Sequence, residues 1–192
     1  MLYLASQSPR RRELLDQIQV AYQTLKVDTD ESVHAGESPE TYVQRVALQK
    51  AQAGFALQPQ DCVLGADTAV IYQQQILGKP TDKIDAQRML QTLSGKTHQV
   101  MTAVAIVSKS HQLCQLNTSQ VTFRTLTQAE IQAYVATQEP MDKAGSYAVQ
   151  GLASIFIERI EGSYSGVMGL PLYETAQLLQ QIDASLLQWL ND

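Results

Sequence analysis

Three consecutive arginines, Arg10, Arg11 and Arg12, follow Ser8 and Pro9 near the start of the sequence. Serine is favoured at a helix N-cap and proline at the first helical position, so the segment predicts a helix that begins just before the arginines. The N-terminus of a helix adds roughly +0.5 of an elementary charge at the same point. This accumulation of positive charge favours a bound phosphate. A solvated basic surface is the alternative, since charge runs usually face water.

Asp67 is the second candidate, because it lies inside an apolar, β-branched run over residues 62–72 that predicts a buried strand. An ionised carboxylate in such a strand needs a cation, a metal or a basic side chain close by, since burial without a partner is costly and raises its pKa. The alternative is that Asp67 caps a turn after Gly65 and Ala66, a position that aspartate also favours.

Lys50 lies on a helix that is predicted to begin at Ser38 and Pro39 and to stop before Pro59. It follows Val43 by seven residues and therefore shares the apolar stripe of this helix. We expect the lysine to point inward or along the edge of the core. The alternative is a side chain whose stem is buried while its ammonium group reaches water.

Glu31 and Asp67 supply two separated carboxylates, and Lys50, Lys79 and Lys143 join the arginines as cations. This set fits a polyphosphate held by basic side chains, with a divalent cation bound through oxygen. Mg²⁺ typically takes one or two carboxylates together with phosphate oxygens and water. The sequence lacks the P-loop, the His-Glu-x-x-His zinc signature, the Gly-x-Ser-x-Gly motif and the Gly-x-Gly-x-x-Gly fingerprint, which argues against those enzyme classes.

Three dispersed histidines, His34, His98 and His111, are expected at surface or strand positions. Cys62 and Cys114 have apolar neighbours and no second cysteine or histidine at the spacing of metal ligands. We interpret them as buried thiols of a protein in a reducing compartment.

The composition predicts one domain over residues 1–192, because a chain of this length with 44% hydrophobic residues can bury one substantial core. A net charge of −5 argues against a broad surface for nucleic acid, so any anion must be bound locally. No stretch reaches the roughly 20 apolar residues of a membrane span, and the N-terminus lacks the pattern of a secretory signal. These features predict a cytoplasmic protein.

The predicted elements alternate between strands and helices, which indicates an α/β protein. Besides those above, we expect a second strand over residues 20–27, a strand pair over residues 100–107 and 113–123, and a later strand through Ile155 and Ile157. Thr127 and Glu130 form a capping box that opens a helix. A closing amphipathic helix is expected from Leu172 to Leu190.

Five motifs, taken together, resemble the Maf family of nucleoside triphosphate pyrophosphatases. In order they are Leu4-Ala5-Ser6-Gln7-Ser8-Pro9-Arg10-Arg11, Gly65-Ala66-Asp67-Thr68, Leu77-Gly78-Lys79-Pro80, Asp142-Lys143-Ala144-Gly145 and Gly169-Leu170-Pro171-Leu172. Their order and spacing are those of the family, and the resemblance spans nearly the whole chain. One departure is Gln7, where the family usually has glycine.

The resemblance implies a long, curved mixed sheet flanked by helices, with two lobes around a cleft, as in the fold of inosine triphosphate pyrophosphatase. It implies hydrolysis between the α and β phosphates, with a divalent cation, Mg²⁺ or Mn²⁺, as cofactor and a homodimer as the assembly. Asp67 is then the catalytic residue that accepts a proton from the attacking water, and Glu31 joins it in binding the metal. Ser6, Lys50 and Lys79 align with residues that support substrate binding.

The family contains a dTTP/UTP subgroup and a second subgroup that prefers 7-methyl-GTP. Arg10, Thr68 and Gln150 match the first subgroup, and a glutamine amide can both accept from a pyrimidine N3–H and donate to the adjacent carbonyl. Arg11 is expected to clamp phosphate as well, whereas Arg12 is expected at the surface. Two alternatives stay open: a pyrophosphatase for 7-methyl-GTP or another purine nucleotide, and a non-catalytic nucleotide-binding regulator of septum formation.

Overall fold

A mixed sheet of seven strands joins segments from both ends of the chain. The structure is a computed structural model, and it describes residues 1–190 apart from the side chains of residues 188 and 190. The strands are β1 (Leu2–Leu4), β2 (Tyr22–Thr24), β3 (Cys62–Tyr72), β4 (Gln75–Leu77), β5 (Thr97–Val107), β6 (Gln112–Phe123) and β7 (Ile157–Glu161). Their order is β2-β1-β3-β5-β6-β7, and β4 pairs with β3.

The helices pack on both faces of this sheet. They are α1 (Pro9–Gln17), α2 (Pro39–Leu57), α3 (Lys83–Leu93), α4 (Gln128–Ala136), α5 (Tyr164–Met168) and α6 (Leu172–Ile182), with short 3-10 segments at Glu139–Asp142, Ala144–Ser146, Leu152–Phe156 and Ala184–Leu190. Within the described part of the chain, none of the helices has the length and apolar character needed to cross a membrane.

Strand β3 has different neighbours along its two edges. One edge pairs with β5 from Val63 to Ile71. The other edge pairs first with β1, at Cys62 to Leu64, and then with β4, at Val70 to Tyr72. Residues 65–69 therefore have no strand partner on this edge in the described structure, and the sheet opens there into two lobes. Asp67 lies in the middle of the opening.

The alternation of β3 side chains assigns its two faces to different surroundings. Ala69 and Ile71 pack with Val43 and Ala47 of α2 in one apolar cluster. Even-numbered positions face the opposite side, where Leu64 and Ala66 pack with residues of α1 and α6, and Val70 packs with residues of α3. Asp67 consequently faces α2, and Thr68 faces away from it.

Several local predictions are confirmed, and three are wrong. β3 has the predicted limits, and the capping box of Thr127 and Glu130 opens α4. The turn alternative for Asp67 is wrong, because the residue lies within a continuous strand. Ile155 belongs to a 3-10 segment rather than a strand, and the closing helix ends at Ile182 because Asp183 has an extended backbone.

His98 is buried in an aromatic cluster of the core, next to Phe123 and Tyr147. Its Nε2 atom lies 2.7 Å from the Tyr147 hydroxyl, and its Nδ1 atom has no hydrogen-bond partner among the described residues. Burial lowers the pKa of His98 to about 4. The imidazole is therefore neutral in the folded protein at physiological pH.

This buried histidine predicts a loss of stability in mild acid. In the unfolded chain its pKa is about 6.5, so protons bind the unfolded state preferentially as the pH falls from 6.5 towards 4. The free energy of unfolding should fall by up to about 3 kcal/mol across this window. Urea unfolding at a series of pH values measures the free energy of unfolding.

His98→Gln should remove the fall in this free energy between pH 6.5 and 4, whereas His111→Gln, at an exposed position, should retain it. Parallel pH profiles for the wild type and His98→Gln would show that His98 does not cause the fall.

Candidate active site

The opening beside β3 forms a cleft of about 620 Å³, within the usual size range of sites for small molecules. The cations that line it are Arg10, Arg11, Lys50, Lys79 and Lys143. The acids are Glu31, Asp67 and Asp142. The cleft thus carries an excess of positive charge in a chain whose net charge is −5, which suits an anionic ligand.

Lys50 lies between two carboxylates at the floor of the cleft. Its Nζ atom is 2.8 Å from Asp67 Oδ1 and 2.8 Å from Glu31 Oε1. The lysine is only 9% exposed, so the prediction that it points inward from α2 is confirmed. Its ammonium group neutralises part of the charge of both acids and holds them near each other.

Asp67 combines burial with an incomplete set of hydrogen bonds. The residue is 5% exposed, and its Oδ2 atom has no partner among the described residues. Burial raises the pKa of Asp67 above its ordinary value, while the charges of Lys50 and Arg11 oppose this effect. A carboxylate of this kind is a stronger base than an exposed aspartate, and one of its two oxygens has no partner within the described structure.

Glu31 belongs to an acidic loop that α2 holds in place. The Tyr42 hydroxyl donates to the Glu31 carbonyl at 3.0 Å, and Arg45 Nη2 donates to the Ser32 carbonyl at 2.8 Å. Arg45 also makes a two-pronged contact with Glu37, at 2.6 and 2.8 Å, and this lowers the pKa of Glu37 to about 2. Burial raises the pKa of Glu31, but the hydrogen bond and charge of Lys50 outweigh it, so the net pKa is below the ordinary value.

Arg11 makes three hydrogen bonds to other groups of the protein. Its Nε donates to the Gly169 carbonyl at 2.7 Å, its Nη1 to Ser6 Oγ at 3.3 Å and its Nη2 to Thr68 Oγ1 at 3.4 Å. Burial lowers the pKa of Arg11, and the charge of Asp67 opposes the change. Since a guanidinium group has five N–H donors, two remain for a ligand.

The other two arginines lie in different surroundings. Arg10 lines the cleft and makes no hydrogen bond within the described structure. All the N–H groups of its guanidinium are therefore available to a ligand. Arg12 is exposed and does not line the cleft, as the sequence predicted. Ser8 occupies the N-cap of α1, but its side chain makes no capping bond; its N–H donates to Ser6 Oγ at 3.2 Å.

Of the remaining predicted residues, Lys79 and Thr68 line the cleft. Gln150 does not: it is exposed and follows Val149, which does line the cleft. Its role in base selection stays a prediction. Lys143 also lines the cleft and pairs with the neighbouring Asp142.

Sequence reasoning missed two polar groups of the site. The Tyr42 hydroxyl anchors the loop of Glu31, and burial together with the charges of Asp67 and Glu31 raises the pKa of Tyr42 to about 12. Thr102 of β5 is 1% exposed and pairs in register with Thr68. A polar residue inside the apolar run over residues 100–107 was the signal that could have marked Thr102.

The carboxylates fit a divalent cation of the kind that the family resemblance implies. Within residues 1–190 no group of three or more histidine, cysteine, aspartate or glutamate residues is placed to hold a metal. Mg²⁺ needs only one or two carboxylates when phosphate and water complete its shell. Asp67 Oδ2 is a buried oxygen without a partner, and Glu31, whose side chain is 44% exposed, lies on the other side of Lys50.

The family model described as Maf-like protein matches residues 1–182. The chain belongs to the Maf family. A relative from Xanthomonas euvesicatoria pv. vesicatoria is 56% identical over 189 residues, which cover 96% of this chain and 100% of the relative. Another, from Alkalilimnicola ehrlichii, is 52% identical over 188 residues, covering 95% of this chain and 93% of the relative. Both relatives are named dTTP/UTP pyrophosphatase.

Among solved structures, the Ham1 protein of Staphylococcus aureus aligns with 64% of this chain and 71% of its own. The TM-score is 0.47 and the sequence identity is 12%.

Gly65 allows the Maf chain to place Lys50 above Asp67. A Cβ atom at this position would lie 2.4 Å from the Ala47 carbonyl oxygen and 2.6 Å from the Ala51 nitrogen, both in the backbone of α2. Glycine therefore lets the helix backbone rest directly on β3. The close approach brings Lys50, which lies between Ala47 and Ala51 in α2, over Asp67, the following inward position of the strand.

Gly65→Ala should push α2 away from β3. We expect a loss of about 1–3 kcal/mol in the free energy of unfolding, because the added carbon meets rigid backbone rather than a flexible side chain. Chemical denaturation measures the loss. Gly78→Ala is the matched control, since a Cβ there meets nothing within 4 Å. Equal stabilities of the two variants would show that the close approach does not constrain the helix.

Proposed function

We propose that this Maf protein hydrolyses dTTP and UTP to the nucleoside monophosphate and pyrophosphate. The observation that carries the proposal is the buried Asp67 carboxylate, paired with Lys50 at the floor of a cationic cleft. The relatives named dTTP/UTP pyrophosphatase support the choice of substrate. Modified pyrimidine nucleotides with the same base edge belong to the same proposal.

In the proposed reaction, Asp67 acts as the general base. Its free Oδ2 accepts a proton from water while the water oxygen attacks the substrate, and one P–O bond of the α–β phosphoanhydride breaks to release pyrophosphate. The raised pKa makes Asp67 a better proton acceptor, and the charge of Lys50 keeps the carboxylate ionised.

The cations of the cleft bind and orient the triphosphate. Arg10 has a free donor fork, Arg11 has two donors left, and Lys79 reaches the cleft from the loop after β4. Phosphoryl transfer depends on positioning and on neutralising charge, so these contacts contribute directly to the rate. Asp67 and Glu31 would hold the divalent cation, Mg²⁺ or Mn²⁺, which supplies further neutralisation of phosphate charge when bound.

Three further predictions belong to the same proposal. Residues 1–192 form a single domain, supported by the sheet that joins strands from Leu2 to Glu161. The protein assembles as a homodimer, which sedimentation of the purified protein tests. Gln150 contributes to the choice of base from the rim of the cleft.

Asp67→Asn tests the catalytic role. The amide cannot accept the proton of water, so pyrophosphate release from UTP should fall by about 100-fold or more with either Mg²⁺ or Mn²⁺. Equilibrium binding of UTP should change much less. Asp61→Asn is the control, because Asp61 lies outside the cleft and pairs with the N-terminus. Tight nucleotide binding without turnover in the wild-type protein would instead favour the regulator alternative.

The arginines offer a second test. Arg10→Ala should raise the KM for UTP by about tenfold to 100-fold, because a charge-assisted hydrogen bond to phosphate contributes about 1.5–3 kcal/mol. Arg12→Ala removes the same charge from an exposed position outside the cleft and should leave the KM unchanged. Steady-state kinetics at two salt concentrations measure both variants. Equal effects would mean that the arginines act only through their general charge.

A further inference from the structure

Two threonine hydroxyls connect the cleft to the interior of the protein. Thr68 Oγ1 lies 2.9 Å from Thr102 Oγ1, and the Thr102 hydroxyl donates to the Gly166 carbonyl at 2.7 Å. Thr102 is 1% exposed, so water does not compete for its hydrogen bonds. The mechanism proposed above does not use either hydroxyl.

The direction of these hydrogen bonds follows from the number of protons available. A threonine hydroxyl has one proton and two lone pairs, and a carbonyl oxygen can only accept. Because Thr102 donates its proton to Gly166, it can only accept from Thr68. The Thr68 proton therefore points into the protein, away from the cleft.

Thr68 consequently faces the cleft only as a hydrogen-bond acceptor. Arg11 Nη2 donates to one lone pair of Thr68 Oγ1 at 3.4 Å, and one lone pair remains. A phosphate oxygen or a base carbonyl cannot bind there, since both lack a proton. The partner of Thr68 has to be an N–H or O–H group of the ligand.

The surroundings of Thr68 favour the base over the phosphates. Thr68 and Asp67 are neighbours in β3 whose side chains lie on opposite faces of the sheet, so the Thr68 hydroxyl lies beside Arg11 and away from the Lys50–Asp67 pair. Val70 and Val100 pair in register beside the Thr68–Thr102 pair, on the same face. Together with Val149 and Met168 they give this part of the cleft an apolar wall. An aromatic base fits such a wall, with a single polar group to orient it.

We propose that Thr102 is a positioning residue that makes Thr68 an acceptor for the imide N3–H of uracil and thymine. This inference rests on the proposed function and adds the basis of its selectivity. Cytosine presents the opposite pattern, because its N3 atom carries a lone pair and no proton. In the wild-type protein the Thr68 lone pair would face that of cytosine N3, so CTP is disfavoured relative to UTP.

Thr102→Val tests the inference, since valine keeps the shape of threonine but removes the hydroxyl. The Thr68 proton then loses its acceptor and becomes free to turn towards the cleft. The Gly166 carbonyl keeps one partner, because the Gly169 N–H also donates to it at 3.0 Å. The measured quantity is the ratio of kcat/KM for UTP to that for CTP, two substrates that differ only in the base. We expect the ratio to fall by about tenfold, the size of a hydrogen bond lost or gained.

Two further variants separate selectivity from general damage. Thr102→Ser retains the hydroxyl and should keep the wild-type ratio. Thr97→Val removes a hydroxyl from the same strand, where Thr97 Oγ1 lies 2.9 Å from Thr122 Oγ1 on the exposed end of the β5–β6 pair, and it too should keep the ratio. Loss of stability alone would lower both kcat/KM values without changing their ratio.

The inference is overturned if Thr102→Val leaves the ratio unchanged, or if the wild-type protein hydrolyses UTP and CTP equally well. It is also overturned if Gln150→Glu changes the ratio and Thr102→Val does not, since Gln150 would then contact the imide. In each case, continued hydrolysis of UTP by the wild-type protein leaves the proposed function standing. Absence of UTP hydrolysis in the wild type would contradict the proposed function itself.

Discussion

The Lys50 ammonium group lies between the carboxylates of Asp67 and Glu31, and burial makes the charges of Lys50 and Asp67 depend on each other. Removing a charge from water is costly, so Asp67 could not remain ionised in the middle of a sheet without a cation beside it. The rest of the structure is arranged to supply that cation. Helix α2 rests on Gly65, which brings Lys50 over the strand, and Tyr42 and Arg45 of the same helix hold the loop of Glu31.

The division of the sheet explains why these charges line an open cleft. β3 pairs with β1 at its beginning and with β4 at its end, and the segment between them has an open edge. Asp67 is thus buried by α2 and by β5 while its second oxygen stays without a protein partner. Arg11 closes the other side of the opening through its bond to the Gly169 carbonyl, far along the chain.

The sequence was informative wherever a signal was local. The apolar run of β3, the capping box of α4 and the inward position of Lys50 all depend on residues within a few turns or one strand. Ile155 was misassigned because a short apolar segment fits a strand or a 3-10 turn equally well. The Thr68–Thr102 contact was not predictable, since it depends on the register of two strands that are distant in sequence.

Because β3 is continuous, the two polar residues on its opposite faces are held at fixed positions by one strand. Adjacent residues of this strand, Asp67 and Thr68, face the two sides of the sheet, the first paired with Lys50 and the second with Thr102. A shift of one residue in the register of β3 would exchange them, placing the hydroxyl beside Lys50 and the carboxylate beside Thr102. An insertion or deletion in this strand would therefore separate Lys50 from the carboxylate and Thr102 from the hydroxyl, whereas a substitution around the strand leaves both pairs in place.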